Sequence, residues 1–217
     1  MHDQIVSSAT VGAASVVAQP AFPFWKRCLD VVIGVPLLIC SGPVLAATFI
    51  ANRISGDSGP LFYPAVRMGE GGRPFHALKL RTMRAAIAGP AVTAAGDARI
   101  TRVGRVLRQA KFDELPQLWN VLRGEMSLVG PRPEDPRYAD WSNPLHRAVF
   151  CARPGITGPA QIEFRHEESL LASRDIEQRY VEEILPAKLA LDAAYLAHRS
   201  LASDLNLLGR TLLAVAR

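Results

Sequence analysis

An α+β fold, predominantly helical, is what this 217-residue sequence predicts, and three features carry that reading. Val31–Ala51 is an unbroken run of 21 uncharged residues. Two strand-like stretches, "GPLFYPAV" and "RPFHALKLRTM", flank the Gly-rich "GEGG" of Gly69–Gly72, the pattern of a short β-hairpin. From Thr101 onward the apolar residues recur mostly at helical spacing. The length suits one globular domain with an appendage.

Taken in order, residues 1–25 contain no Lys or Arg and lack the positive start of a secretory signal, so they read as a poorly ordered tail. Residues 26–55 hold the apolar run. A straight helix of 21 residues rises about 31 Å, enough for a hydrocarbon core of about 30 Å. Pro36 and the Gly42-Pro43 pair interrupt it, because proline removes an N–H and crowds the preceding turn. Lys26 and Arg27 precede the run and Arg53 follows it, so retention of positive charge on the cytoplasmic side favours both ends on that side. The expected form is a re-entrant membrane hairpin, a helix-break-helix bent at Gly42 and Pro43. A straight span and a buried core helix are the competing readings.

Residues 56–217 are expected to form the cytosolic domain. After the hairpin, Ala85–Ala98 reads as a loop with Gly89-Pro90 and Gly96-Asp97 as breakers. Thr101 can cap a helix through Phe112, with Val103, Val106, Leu107 and Ala110 inward, although Gly104 weakens it. A second helix is expected from Asp113 to Arg123, with Pro116 in its first turn and Gly124 ending it. "SLVGPRPEDP" and "RPGITGP" read as stiff Pro-rich loops that hold side chains in fixed directions. The chain from Ser173 is helical with a break at Pro186, and Leu201, Leu205, Leu208 and Leu212 form what reads as a core face.

Charge narrows the chemistry. The 25 Lys+Arg against 20 Asp+Glu give a net +5, which favours an anionic partner. Val66–Arg132 alone carries 12 basic and 5 acidic residues, so the middle of the chain faces the anion. Cys28, Cys40 and Cys151 have neither metal-ligand nor disulfide spacing, which fits a reducing, cytosol-facing location. There is no Walker-type phosphate loop, zinc spacing or G-x-S-x-G elbow, and the five histidines have no recognisable partners. These absences leave an ordinary P-loop kinase or serine hydrolase unsupported.

Within that basic segment, "KFDELPQLWN" sets Asp113 beside Glu114. One reading makes Asp113 a helix N-cap and Glu114 a first-turn acid. The other uses the same helix terminus to keep a carboxylate ionised, as a nucleophile or a ligand of Mg²⁺. A carboxylate that attacks phosphorus needs cations to hold the phosphate. Lys79, Arg81, Arg108 and Arg132 are the candidates.

The segments "KRCLDVVIGVPLLI", "GGRPFHALKLRTM", "ITRVGRVLRQAKFDELPQLWNVLRGEMSLVGPRPEDP" and "RPGITGPAQ" resemble, in order, the bacterial sugar transferases, the monotopic polyprenyl-phosphate phosphoglycosyl transferases. The resemblance covers Lys26 to about Arg165. It implies that Asp113 attacks the sugar-proximal phosphate of a UDP-sugar and releases UMP, after which a polyprenyl phosphate takes the phosphosugar. Glu114 would act as a base or, with Asp113, hold Mg²⁺. Lys79, Arg108 and Arg132 match phosphate-holding positions, and Gln117 and Arg165 are weaker nucleotide-sugar candidates. The family further implies a re-entrant helix in the inner leaflet of the bacterial inner membrane, amphipathic helices at the interface, catalysis at the cytoplasmic face and no nucleic-acid partner, and it leaves room for a homo-oligomer. Two departures stand out: Gly42-Pro43 where many small members have Ser-Pro, and "IEFR" where Asn-Gly-Arg is frequent. The runner-up from another class is a membrane-tethered basic module that binds nucleic acid or anionic lipid without chemistry.

Overall fold

The uncharged run folds into helix α1, Phe24–Ile54, of 31 residues. In this computed structural model the described residues are 22–56, 59–84, 97–165 and 176–216. The predicted tail up to residue 21, most of the predicted 85–98 loop, and residues 173–175 at the start of the predicted C-terminal helix lie outside them. Pro36 and Pro43 both sit inside α1, and the helix runs through the Gly42-Pro43 pair where the sequence predicts a break. Ser41 and Thr48 donate their hydroxyls to the carbonyls of Leu38 and Val44, a bonding mode that helices with internal prolines tolerate. By length and composition α1 is able to cross a membrane.

Which side of α1 is covered is more telling. Its buried residues are Lys26, Asp30, Gly34, Ser41, Thr48 and Asn52, whereas Val32, Ile39, Ile50 and Ile54 are exposed, with Ile39 at 72% and Ile54 at 82%. A helix solvated by water shows the opposite arrangement. The polar stripe is spent on docking. Lys26 Nζ is paired with Asp204 and donates to Tyr195 Oη at 3.2 Å, and Tyr195 in turn donates to Asp204 at 2.7 Å. Arg27 donates to the carbonyls of Val121 and Leu122 at 2.6 and 2.5 Å. Asp30 accepts from Ser127 Oγ at 2.9 Å and Leu128 N–H at 2.8 Å. Lys26 and Arg27, read from the sequence as a flank that reports membrane sidedness, therefore serve as structural ties.

The predicted hairpin forms as strands β1, Phe62–Met68, and β2, Pro74–Leu80, paired antiparallel with Tyr63 opposite Lys79. Helix α2, Arg102–Gln109, is capped by Thr101, whose side chain accepts from Gly104 N–H at 2.9 Å. It stops short of Phe112, and Val106 is exposed rather than inward. Gly104, a weak point in sequence terms, is required by packing: a Cβ there would lie 2.2 Å from the Thr82 carbonyl oxygen.

Asp113 does not begin an α-helix. Phe112–Glu114 is a 3₁₀ turn, and helix α3 occupies only Gln117–Arg123, with Pro116 as its N-cap and Gly124 ending it at φ 82°. The N–H groups of Glu114 and Leu115 are drawn back to carbonyls three residues earlier, which tightens the turn ahead of Pro116.

The two Pro-rich loops hide a second sheet. Strand β3, Ser127–Val129, pairs parallel with β4, Gly155–Thr157, separated by helix α4, Pro144–Phe150. The backbones touch so closely that a Cβ on Gly155 would fall 2.1 Å from Gly130 N. Such short strands, rich in glycine and proline, carry no alternation to betray them. Helix α5 follows at Pro159–Glu163.

At the C-terminal end, α6, Ile176–Arg179, passes through a π-helical turn, Tyr180–Ile184, into α7, Leu185–His198. Pro186 falls in the first turn of α7, where its missing N–H is tolerated, so the predicted break there does not occur. The interruption comes instead at Arg199-Ser200, before α8, Leu201–Ala216. The predicted core face of α8 holds only at Leu208, which packs partly buried against the core; Leu201, Leu205 and Leu212 are exposed, and Asp204 and Leu207 are the buried positions among its described side chains. The core itself gathers Leu118, Val121, Met126, Leu128, Val149, Phe150, Leu185 and Leu189, between α3, β3, α4 and α7.

Because Lys26 and Asp204 are both buried, removing one leaves an unpaired charge. Lys26→Met is expected to destabilise the protein by about 3–5 kcal/mol. The double variant Lys26→Met/Asp204→Leu should lose markedly less, read as thermal melts of the purified protein in detergent.

Candidate active site

Asn120 fixes the site's geometry from the middle of α3. Its side-chain carbonyl accepts from Leu78 N–H at 2.9 Å, and its amide donates to the His76 carbonyl at 2.8 Å and to Glu125 at 2.6 Å. A side chain thereby takes the place of a third strand along the free edge of β2. Strand alternation then sends Ala77 and Lys79 to one face, toward the turn that carries the acidic pair.

Lys79 Nζ meets Glu114 Oε1 at 2.8 Å. Around this ion pair opens a polar pocket lined by Asp113, Glu114, Gln117, Lys79, Arg108 and Arg132, with Arg165 also on its wall. Seven of the eight sequence-predicted residues for carboxylate, phosphate and nucleotide-sugar roles are thus brought together from β2, α2, the 3₁₀ turn, the α3 terminus, the loop after β3 and the end of α5. Arg81 is not among them: its Nε donates to the Pro60 carbonyl at 2.7 Å, and its guanidinium lies over Gly59. Its backbone still continues the ladder, Arg81 N–H donating to the Leu61 carbonyl at 2.9 Å, so it is the side chain's contacts with the 59–60 segment that take the guanidinium away.

The two adjacent carboxyls are in different electrostatic states. Burial alone would raise Glu114, but Lys79, Arg132 and the hydrogen bond from Lys79 outweigh it and hold the carboxyl at about 2. Asp113, 6% exposed, is pushed upward, first by burial and then by the neighbouring Glu114 charge, against the pull of Lys79 and Arg108. The helix N-terminus expected to keep Asp113 ionised is absent; what favours its charged form is Lys79 and Arg108, working against that upward push. Mg²⁺ commonly takes one or two protein carboxylates and completes its shell with water and substrate phosphate. Asp113 and Glu114, with Glu114 held charged, fit that limited demand; among the described residues no group of three or more metal-binding side chains occurs.

Arg132 is set by the backbone behind it. Its N–H donates to Asp192 Oδ2 at 2.9 Å, and Asp192, buried on α7, also accepts from Ala160 N–H at 3.4 Å. Burial raises the Asp192 carboxyl to about 7. Gly130 N–H to the Thr157 carbonyl and Gly155 N–H to the Pro131 carbonyl, both 2.9 Å, lock the loop to β4.

Sequence reasoning missed several lining residues: Arg67, Lys111, Glu134, Asp135, Tyr138 and Tyr180. Arg67 pairs with Asp135 at 3.2 Å, and Tyr180 donates to Glu134 at 2.6 Å. Arg67 and Lys111 belong to the basic segment and were legible as charge; Tyr180 comes from the π turn, for which the sequence carries no local signal.

Known proteins bear directly on this arrangement. The family profile described as bacterial sugar transferase matches residues 22–217. The chain is 42% identical over 191 residues to the UDP-glucose:undecaprenyl-phosphate glucose-1-phosphate transferase of Caulobacter vibrioides, covering 86% of this chain and 67% of that protein. It is 38% identical over 197 residues to the undecaprenyl-phosphate glucose phosphotransferase of Komagataeibacter xylinus, covering 86% of this chain and 35% of the relative. With the exopolysaccharide production protein ExoY of Sinorhizobium fredii it shares 33% identity over 207 residues, 88% of this chain and 84% of the relative. The chain thus spans about a third of the length of some relatives and most of others. A match over nearly all the described residues, together with the assembled acidic and basic groups, means that this chain belongs to the bacterial sugar transferase family, a family of enzymes.

Proposed function

We propose that the protein transfers a phosphosugar from a UDP-sugar to a polyprenyl phosphate such as undecaprenyl phosphate, at the cytoplasmic face of the bacterial inner membrane, as the first step of a cell-surface glycan: exopolysaccharide, capsule or O-antigen. The observation that carries the reading is the buried Asp113 beside a Lys79–Glu114 ion pair in a pocket walled by Arg108 and Arg132. The names of the relatives, which include transferases acting on undecaprenyl phosphate, support the acceptor and donor classes. The inverted burial of α1, with its apolar side outward, supports lipid as its surroundings.

In this reading an Asp113 carboxylate oxygen attacks the sugar-proximal phosphorus. The new O–P bond forms as the bond to the bridging oxygen breaks, and UMP leaves with that oxygen and its electron pair. A phosphate oxygen of the polyprenyl phosphate then attacks the same phosphorus and returns Asp113 as a carboxylate. Lys79, Arg108 and Arg132 offset the charge that collects on the phosphoryl oxygens. Gln117 and Arg165, on the same wall, contact the nucleotide-sugar. Asp113 and Glu114 would hold Mg²⁺, which would supply Lewis-acid neutralisation of the diphosphate. Glu114 stays anionic throughout the working pH range, which suits a metal ligand better than a proton acceptor.

The test is release of UMP from a panel of UDP-sugars with Mg²⁺ and no lipid acceptor. Wild-type protein should release about one equivalent, leave a phosphosugar adduct on the tryptic peptide containing Asp113, and lose the burst on chelation. Asp113→Asn should lower the rate by about 10³-fold or more. An unchanged burst in that variant ends the proposal.

A pH profile gives a second check. Asp113 is active when deprotonated, and its folded-state value is raised, so the acid limb of UMP release should lie above the ordinary 3.8 of an aspartate. Lys79 is the strongest cationic influence lowering it, so Lys79→Met should move the limb to still higher pH.

A further inference from the structure

Lys111 is the one non-glycine residue with positive φ among those described, at φ 59° and ψ 20°. It lies just past the end of α2, and its N–H reaches back to the Arg108 carbonyl at 3.1 Å. Helices regularly finish with a left-handed residue at this place, and glycine takes it because a Cβ there is strained. A lysine gains a little from the helix dipole, but that gain is open to any conformation of the neighbouring residues. Departures of this kind concentrate at sites where the residue has a task.

The task is indicated by location. Lys111 lines the same pocket as Asp113 and Glu114, and its charge acts on both carboxyls in the direction that keeps them ionised. The left-handed residue turns the chain between α2 and the 3₁₀ turn, so the ammonium and the two carboxyls face one space. Lys111 lines that pocket while remaining exposed to solvent.

We propose that Lys111 is a phosphate ligand for the nucleotide donor, and that its strained backbone is retained because a lysine is needed at that point. This deepens the function proposed above and rests on that reading for the identity of the donor, whereas its binding test does not depend on turnover.

The probe is UDP, titrated into the purified full-length protein with Mg²⁺, alongside UMP release and thermal melting. Lys111→Gly removes both the charge and the strain, so it should bind UDP at least about tenfold more weakly while melting at a higher temperature than wild type. Lys111→Gln removes the charge alone and should weaken UDP equally without the rise in melting temperature. Lys111→Arg should recover most of the affinity. UDP binding within twofold of wild type in both Gly and Gln variants overturns the proposal, as does a loss confined to the Gly variant, which would assign the effect to the backbone. If wild-type protein binds UDP and Lys111→Gln weakens it, yet no UDP-sugar yields UMP, Lys111 stands as a ligand and the transferase reading falls. Wild-type protein that does not bind UDP overturns the assignment of Lys111.

Discussion

The side chain of Asn120 is the constraint on which the site depends. Its amide satisfies the backbone groups on either side of Ala77, the His76 carbonyl and the Leu78 N–H, at the open edge of β2 while its own backbone belongs to α3. Few residues can do this: an aspartate lacks the donors, and an aliphatic side chain of similar size would leave a strand edge unsatisfied. With that link in place, the hairpin's Lys79 and the acidic turn before α3 are rigidly related. The 2.8 Å ion pair follows from the tertiary fold rather than from flexible side chains searching for each other.

That rigidity creates an asymmetry between neighbours. Glu114 takes the direct bond to Lys79 and keeps its charge, leaving Asp113 to feel burial and the Glu114 anion together. Two adjacent carboxyls are thereby driven in opposite directions, Glu114 toward its charged form and Asp113 toward its neutral one. The Arg132 side of the pocket is built on the same plan, with the backbone N–H of Arg132 on the buried Asp192 and its side chain directed to the pocket.

Much of this was legible in the sequence, for identifiable reasons. The helical character of the apolar run, the hairpin, the Thr101 cap and the Gly124 stop are local signals and appear as read, whereas the predicted bend at Gly42-Pro43 does not, because the helix continues through both of its prolines. Seven polar residues of the site were named because they sit in a compact basic segment or in motifs with strong resemblance. What failed depended on distance or on exceptions to periodicity. The Asp113 helix start was lost to a 3₁₀ turn before Pro116, the break at Pro186 was absorbed by a first turn, and the parallel β3–β4 pair has only three residues per strand. Arg81 failed because its guanidinium bonds to the Pro60 carbonyl, a contact with no signal in the motif around it. The leucines of α8 have the spacing of a core stripe, yet burial follows Asp204, whose partner lies 178 positions away.

That last separation has a bearing on biogenesis. Lys26 leaves the ribosome 178 positions ahead of Asp204. At translation speeds of about 5–20 residues per second, about 10–35 s pass before the partner leaves the ribosome. During that interval Lys26 has no Asp204 to meet, so the packing of the polar stripe of α1 is completed only when α8 is made, the last helix acting as a clasp on the first.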